Sequence, residues 1–179
     1  MKFGLFVCGP PGIGKSTHID EMLKNAKISN KFILIDPDLL EGETHLKKSE
    51  KSVELVKESI KSNKSFVYVA TCGGLKVIMG FLSSMKKSGF KTIVAIPYTK
   101  LSTALERISK RQQETPEEVS KDLYSFFSKK AEAYMKLKNI DEIYLYNNET
   151  EFNLLYVRKH KKITCTPGEF YFDITPYCT

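Results

Sequence analysis

The sequence predicts a three-layer α/β/α fold on a five-stranded, mostly parallel sheet, with a small β appendage at the C-terminal end. Three observations carry this. Short apolar runs alternate with helical patterns through residues 1–150, the order that gives parallel strands joined by crossover helices. The first apolar run leads straight into a glycine-rich segment and then a helix. From Glu151 onward the helical spacing gives way to short strands and turns. Residues 1–150 are therefore read as one α/β domain, and 151–179 as an appendage packed on it.

Phe3 to Cys8 is a nearly unbroken apolar run, as a strand buried on both faces requires. Ile19, Met22, Leu23 and Ala26 at helical spacing give the first helix. Phe32 to Ile35 reads as strand two, ending at Asp36-Pro37-Asp38, and a charged helix from Lys48 to Lys61 turns Val53, Val56 and Ile60 inward. Strand three is Phe66 to Ala70, ending at Thr71-Cys72-Gly73-Gly74. A helix from Leu75 to Lys87 buries Val77, Ile78, Phe81, Leu82 and Met85, with Gly89 as its C′ residue. Thr92 to Ile96 is strand four, stopped by Pro97. Leu101 to Gln113 is helical, and Pro116 at N1, capped by Thr115, starts a helix reaching Leu137. Ile143 to Tyr146 is strand five. In the tail, Phe152 to Val157, Ile163 to Cys165 and Phe170 to Ile174 read as short strands, with a turn at Pro167-Gly168 and a solvated basic hairpin tip at Lys159 to Lys162.

The segment Gly9-Pro10-Pro11-Gly12-Ile13-Gly14-Lys15-Ser16-Thr17 matches the phosphate-binding loop G-x-x-x-x-G-K-[ST] without a mismatch. Gly9, Gly12 and Gly14 let backbone amides point inward, and with the helix N-terminus they form a concave anion site. Lys15 is expected to reach the β- and γ-phosphates of ATP, and the Ser16 hydroxyl to bind Mg²⁺. The carboxyl ends of parallel strands gather ligand-binding residues. Asp36, Asp38, Thr71 and Gly73 fall there, as candidates for an acceptor substrate. Asp38 is the favoured general base over Asp36, which is also suited to capping the turn. Arg107 and Arg111 lie one helical turn apart and are suited to hold transferring phosphate, with Arg111 to Thr115 as the start of a lid. No [NT]-K-x-D guanine motif and no Asp-Glu strand end occur, which argues against GTPases and motors and for a small-substrate kinase.

The net charge is +7, with three arginines against 25 lysines. Such a lysine excess fits either a biased coding sequence or a surface for acidic ligands. Nucleic acid is thus a possible partner but not the favoured one. The cysteines Cys8, Cys72, Cys165 and Cys178 show no metal-binding spacing and are expected as buried free thiols in a reducing compartment. No stretch approaches 18 apolar residues, so no membrane span is expected. A cytoplasmic protein follows, of a cell or of something replicating inside one.

These motifs together resemble the zeta-toxin group of P-loop kinases. The resemblance runs through Gly9 to Thr17, Ile35 to Asp38, Thr71 to Gly74, Gly89 to Pro97, Glu106-Arg107 to Thr115-Pro116, and Asp141 to Asn148. It implies a P-loop kinase-like fold, ATP and Mg²⁺ as cofactors, and Asp38 as catalytic base. It also implies a phosphate-binding arginine at Arg107 or Arg111. Family members are often partnered by an antitoxin, while this chain carries no recognisable partner signal. The family's second lid arginine would fall at Gln113, and its strand-three glutamate at Ala70. Three functions stay open: an ATP-dependent kinase acting on a hydroxyl of a small metabolite, nucleotide or sugar nucleotide; a polynucleotide 5′-hydroxyl kinase; and an ATP-binding regulatory protein that has lost catalysis.

Overall fold

The computed structural model describes residues 1–42, 44–111 and 116–179. Its sheet has seven strands: β1 (Phe3–Cys8), β2 (Ile33–Ile35), β3 (Phe66–Ala70), β4 (Lys91–Tyr98), β5 (Glu142–Asn147), β6 (Asn153–Lys159) and β7 (Lys162–Cys165). The order is β2-β3-β1-β4-β5-β6-β7. The first five strands run parallel, as expected, and β6 and β7 add antiparallel to them. The expected five-stranded sheet is therefore corrected to a mixed seven-stranded one. The physical reason is the open edge of β5. The tail caps it through β6, with a bulge at Leu145/Tyr146, instead of forming a separate layer.

Among the described residues five α-helices cover the sheet: α1 (Ile19–Asn25), α2 (His45–Lys61), α3 (Leu75–Lys87), α4 (Leu101–Lys110) and α5 (Glu117–Lys130). Every residue of β1 is buried, because side chains of both parities meet a core. Phe3, Leu5 and Val7 pack with Ile19, Met22 and Leu23 of α1. Phe6 and Cys8 face the other way, toward Val56 and Ile60 of α2, Phe81 and Met85 of α3, and Phe127 of α5.

Element boundaries moved where local chemistry was stronger than periodicity. Helix α2 begins at His45, three residues early, because the Thr44 hydroxyl accepts from the Lys47 amide at 3.2 Å and caps it. Strand β4 runs through Pro97 to Tyr98 instead of stopping at Ile96. Its β1 partner ends opposite Ala95, so the missing amide of Pro97 costs no bond to β1. Val77 of α3 is half exposed, since the buried stripe is Ile78, Phe81, Leu82 and Met85. Helix α5 starts after Pro116, which occupies the cap position itself, and gives way at Ala131 to a 3₁₀ turn ending at Lys136. Gln113 and Thr115 lie outside the described residues.

The tail segment Phe170 to Ile174 is not a strand. It is irregular chain leading into a 3₁₀ turn at Thr175–Tyr177, where the Asp173 carboxylate accepts from the Thr175 amide at 2.9 Å. Phe170 and Ile174 are buried in the α2–α3–α5 side of the core. Arg158, the third arginine, is structural: it donates to the carbonyls of Met135 and Leu137.

The four cysteines form two disulfides, Cys8–Cys72 and Cys165–Cys178. This overturns the expectation of free thiols and the compartment argument built on them. Spacing along the chain concealed the pairing. Parallel β1 and β3 bring Cys8 opposite Ala70, two residues from Cys72, so the Cα atoms of the first pair stand 5.3 Å apart. By loop-closure entropy the 64-residue separation is worth about 4 kcal/mol and the 13-residue one about 3 kcal/mol. A dithiol reductant is therefore expected to lower the urea midpoint, and Cys8→Ala/Cys72→Ala to cost more stability than Cys165→Ala/Cys178→Ala. Quantitative thiol labelling of the unreduced, denatured protein checks the pairing, with no reactive thiol expected.

Candidate active site

The glycine loop leaves the sheet after Cys8. The Gly9 amide still donates to the Ala70 carbonyl of β3, at 3.2 Å. Gly12 and Gly14 have φ of 82° and 87°, a region that favours glycine. Space is equally restrictive. A Cβ on Gly12 would lie 2.4 Å from the Ala104 carbonyl oxygen of α4, and one on Gly14 would lie 2.3 Å from the Asn148 amide nitrogen. The Ile13 side chain is fully buried, so at this position the loop can offer a ligand only its backbone.

The Lys15 ammonium folds back on the loop, donating to the carbonyls of Gly9 at 2.6 Å and Pro10 at 3.1 Å. Burial lowers its pKa to about 8; Asp38 and Asp36 oppose that drop, and Arg111 adds to it. The Ser16 hydroxyl donates to Asp36 Oδ2 at 2.9 Å. The other Asp36 oxygen accepts from the Asp38 amide at 3.0 Å and caps the 3₁₀ turn Pro37–Leu39. Asp36 is thus buried with both oxygens engaged, while Asp38 is exposed within the turn that Asp36 caps.

Two clefts meet at Gly14 and Arg111. The first, of about 470 Å³, has Lys15, Ser16, Asp36 and Asp38 on one side and Ala70, Thr71 and Arg111 around it. His45, at the start of α2, also lines it, with Val119 and Leu123 of α5 as an apolar wall. The second, of about 620 Å³, is bounded by Thr17, His18, Arg107, Arg111, Asn148 and Phe152. The expected pair Arg107 and Arg111 therefore does share a cleft. Arg107 is partly committed to structure: it donates to the carbonyls of Asn148 at 2.8 Å and Glu149 at 3.3 Å, fixing the loop after β5. Gly73 lies against the Phe126 ring, which a Cβ there would have to displace, and it does not line either cleft.

Sequence reasoning passed over three contributors. Asn148 is buried and donates from Nδ2 to the Ile13 carbonyl at 2.9 Å, bracing the loop from behind. His18 stacks on Phe152 with centroids 4.0 Å apart, and Phe152 stacks on Tyr146 at 4.3 Å. His18 and Phe152 form one wall of the second cleft. Tyr171 of the tail reaches the back of Gly9. None of the three carries a spacing signal, because each reaches the site only through sheet topology. The Gln113 comparison lies outside the described residues, whereas Ala70 does line the cleft where the family pattern has glutamate.

No protein-family model matches the sequence, and no curated protein does. Solved structures are similar in fold. One comes from the characterisation of the PezAT chromosomal toxin-antitoxin system of Streptococcus pneumoniae: TM-score 0.67, 15% identity, covering 88% of this chain and 71% of that one. Another is the AvrRxo1-ORF1:-ORF2 complex: TM-score 0.69, 12% identity, covering 92% of this chain and 61% of that one. The same complex with ATP gives a TM-score of 0.68 at 12% identity, covering 92% of this chain and 60% of that one. The chain spans little more than three-fifths of the AvrRxo1 chain's length. At these identities the likeness shows the fold alone: the chain shares the α/β architecture of these proteins, with Gly9 to Thr17 following its first strand.

Proposed function

We propose that this chain is an ATP-dependent kinase that phosphorylates a hydroxyl group of a small metabolite, nucleotide or sugar nucleotide. The observation that carries this is the Ser16–Asp36–Asp38 relay. A hydroxyl of the phosphate loop is bonded to one strand-end carboxylate, which in turn positions a second, exposed carboxylate in the same cleft.

The triphosphate would lie on the amides of Gly12 to Thr17, with Lys15 leaving the Gly9 and Pro10 carbonyls to meet the β- and γ-phosphates. The base would occupy the second cleft, between the guanidinium of Arg111 and the His18–Phe152 stack. Ser16 and Asp36 offer adjacent hard oxygen donors, which suits Mg²⁺, an ion held by one or two protein groups together with substrate phosphates. When bound, the ion supplies charge neutralisation on the phosphate oxygens. Asp38 would accept the acceptor's hydroxyl proton as its oxygen forms the bond to the γ-phosphorus and the bond to the β-phosphate bridging oxygen breaks, releasing ADP. Arg111, with Arg107 behind it, would balance charge on the transferring group. Thr71 stands where an acceptor hydroxyl could bond to it.

Transfer of label from γ-labelled ATP with Mg²⁺ to a panel of sugar nucleotides, nucleosides and 5′-hydroxyl oligonucleotides tests the proposal. Labelling of a small acceptor is expected. It should vanish in Lys15→Ala, and in Asp38→Asn it should fall by about 10²- to 10⁴-fold, the usual worth of a general base. Labelling of oligonucleotides alone, with a steep loss of binding as salt rises, would make it a polynucleotide kinase instead. ATP binding without transfer to any acceptor would favour a non-catalytic nucleotide-binding protein.

The lowered pKa of Lys15 adds a pH dependence. Phosphate binding needs the ammonium, which predominates below about pH 8 and is lost above it in the free protein. MgATP affinity is expected to be flat from pH 6.5 to 7.5 and to weaken by up to about tenfold per unit above pH 8. Titration calorimetry across pH checks this, and Lys15→Ala should bind weakly with no such slope.

A further inference from the structure

We propose that Tyr171 is a positioning residue for the phosphate loop, so that the C-terminal tail is a working part of the nucleotide site. The inference rests on reading Gly9 to Thr17 as a nucleotide-binding loop.

The reason lies in how β1 ends. Strand β4 continues past the last residue that β1 pairs with, Ala95, and keeps pairing with β5 as far as Tyr98. A vacancy therefore opens beside Pro97, where β1 has turned away into the loop. Tyr171 fills it. Its hydroxyl donates to the Pro97 carbonyl at 3.0 Å. Its ring packs edge-on against Tyr98 at 5.0 Å and Phe127 at 5.2 Å. The same hydroxyl lies 3.7 Å from the point a Cβ of Gly9 would occupy, on the side where Ile13 also presses. Gly9 is in turn the residue whose carbonyl accepts from Lys15 at 2.6 Å. The tail thus borders the space beside Gly9, and Gly9 in turn holds the phosphate-binding lysine.

Tyr171 is itself held firmly. The neighbouring Glu169 accepts from the Asn147 side chain through its carbonyl and from the Tyr98 hydroxyl through its carboxylate, both at 3.0 Å. Phe170 is buried, and Cys165–Cys178 closes the tail into a loop. Burial raises the Tyr171 pKa well above the ordinary phenol value, so its hydroxyl remains a donor throughout the physiological range.

Three variants test this: Tyr171→Ala, Tyr171→Phe and Phe172→Ala. Phe172 packs on Phe170 and Tyr177 within the tail and serves as the control for mere loss of tail packing. Two quantities are read: the Kd for MgATP, and hydrogen–deuterium exchange of the peptide spanning Gly9 to Ser16 without nucleotide. Tyr171→Ala should speed that exchange and raise the Kd about tenfold, the worth of one good hydrogen bond with its packing. Tyr171→Phe should fall between, and Phe172→Ala should lower Tm while leaving exchange and Kd at wild-type values. Unchanged loop exchange in Tyr171→Ala, or equal changes in Phe172→Ala, would overturn the proposal. If Tyr171→Ala does not fold, Tyr171→Phe decides by the same exchange measurement. Exchange needs no ligand, so it still tests Tyr171 if wild-type protein fails to bind MgATP, a failure that would count against the nucleotide-loop reading alone.

Discussion

The Asp36 carboxylate joins two segments that the chain keeps twenty residues apart. One oxygen takes the Ser16 hydroxyl, in the turn that leads from the phosphate loop to α1, and the other takes the Asp38 amide. A buried carboxylate is costly unless both oxygens are satisfied, and here both are, within one short turn. The consequences spread outward. The turn after β2 is held against the loop, Asp38 is left free at its rim, and the cleft between them acquires two acids and a lysine of lowered pKa. In the proposed reaction Asp36, so placed, would serve as the strand-end acid beside the metal, and no separate Asp-Glu strand end would be needed.

The loop is held from behind as well. Asn148 braces Ile13, Arg107 fixes the segment carrying Asn148, Tyr171 backs Gly9, and Cys8–Cys72 ties the loop's stem to the end of β3. These supports come from β3, α4, the β5 end and the tail, elements remote in sequence and adjacent only because the parallel sheet aligns their carboxyl ends. Val119, Leu123 and Ala70 line the same cleft as Lys15 and Asp38, and in the proposed reaction the acceptor would meet them there.

What the residues alone revealed divides along the same line. The loop, strand β3 and helix α3 were legible to the residue, since each is set by local spacing: a complete motif, an unbroken apolar run, a stripe ending in Gly89. Asp36 and Asp38 were legible as candidates because they end a strand, although the hydrogen bond to Ser16 that separates their roles was not. Strand count, the two disulfides and the contributions of Asn148 and Tyr171 were hidden, because each depends on which chain ends meet in space. Pro97 shows the limit clearly. A proline reads as a strand terminator, yet beyond the end of β1 its missing amide is not needed, and its carbonyl receives a tyrosine from the far end of the chain.

The most direct test of the central claim is an experimental structure of the protein with a non-hydrolysable ATP analogue and Mg²⁺. The account predicts the triphosphate on the amides of Gly12 to Thr17 and Lys15 moved from the Gly9 carbonyl to the β- and γ-phosphates. It also predicts Ser16 and Asp36 beside the metal, and Asp38 facing the γ-phosphate across the cleft. A triphosphate bound away from this loop, or bound there with Asp38 turned out of the cleft and Asp36 facing the γ-phosphate, would contradict it.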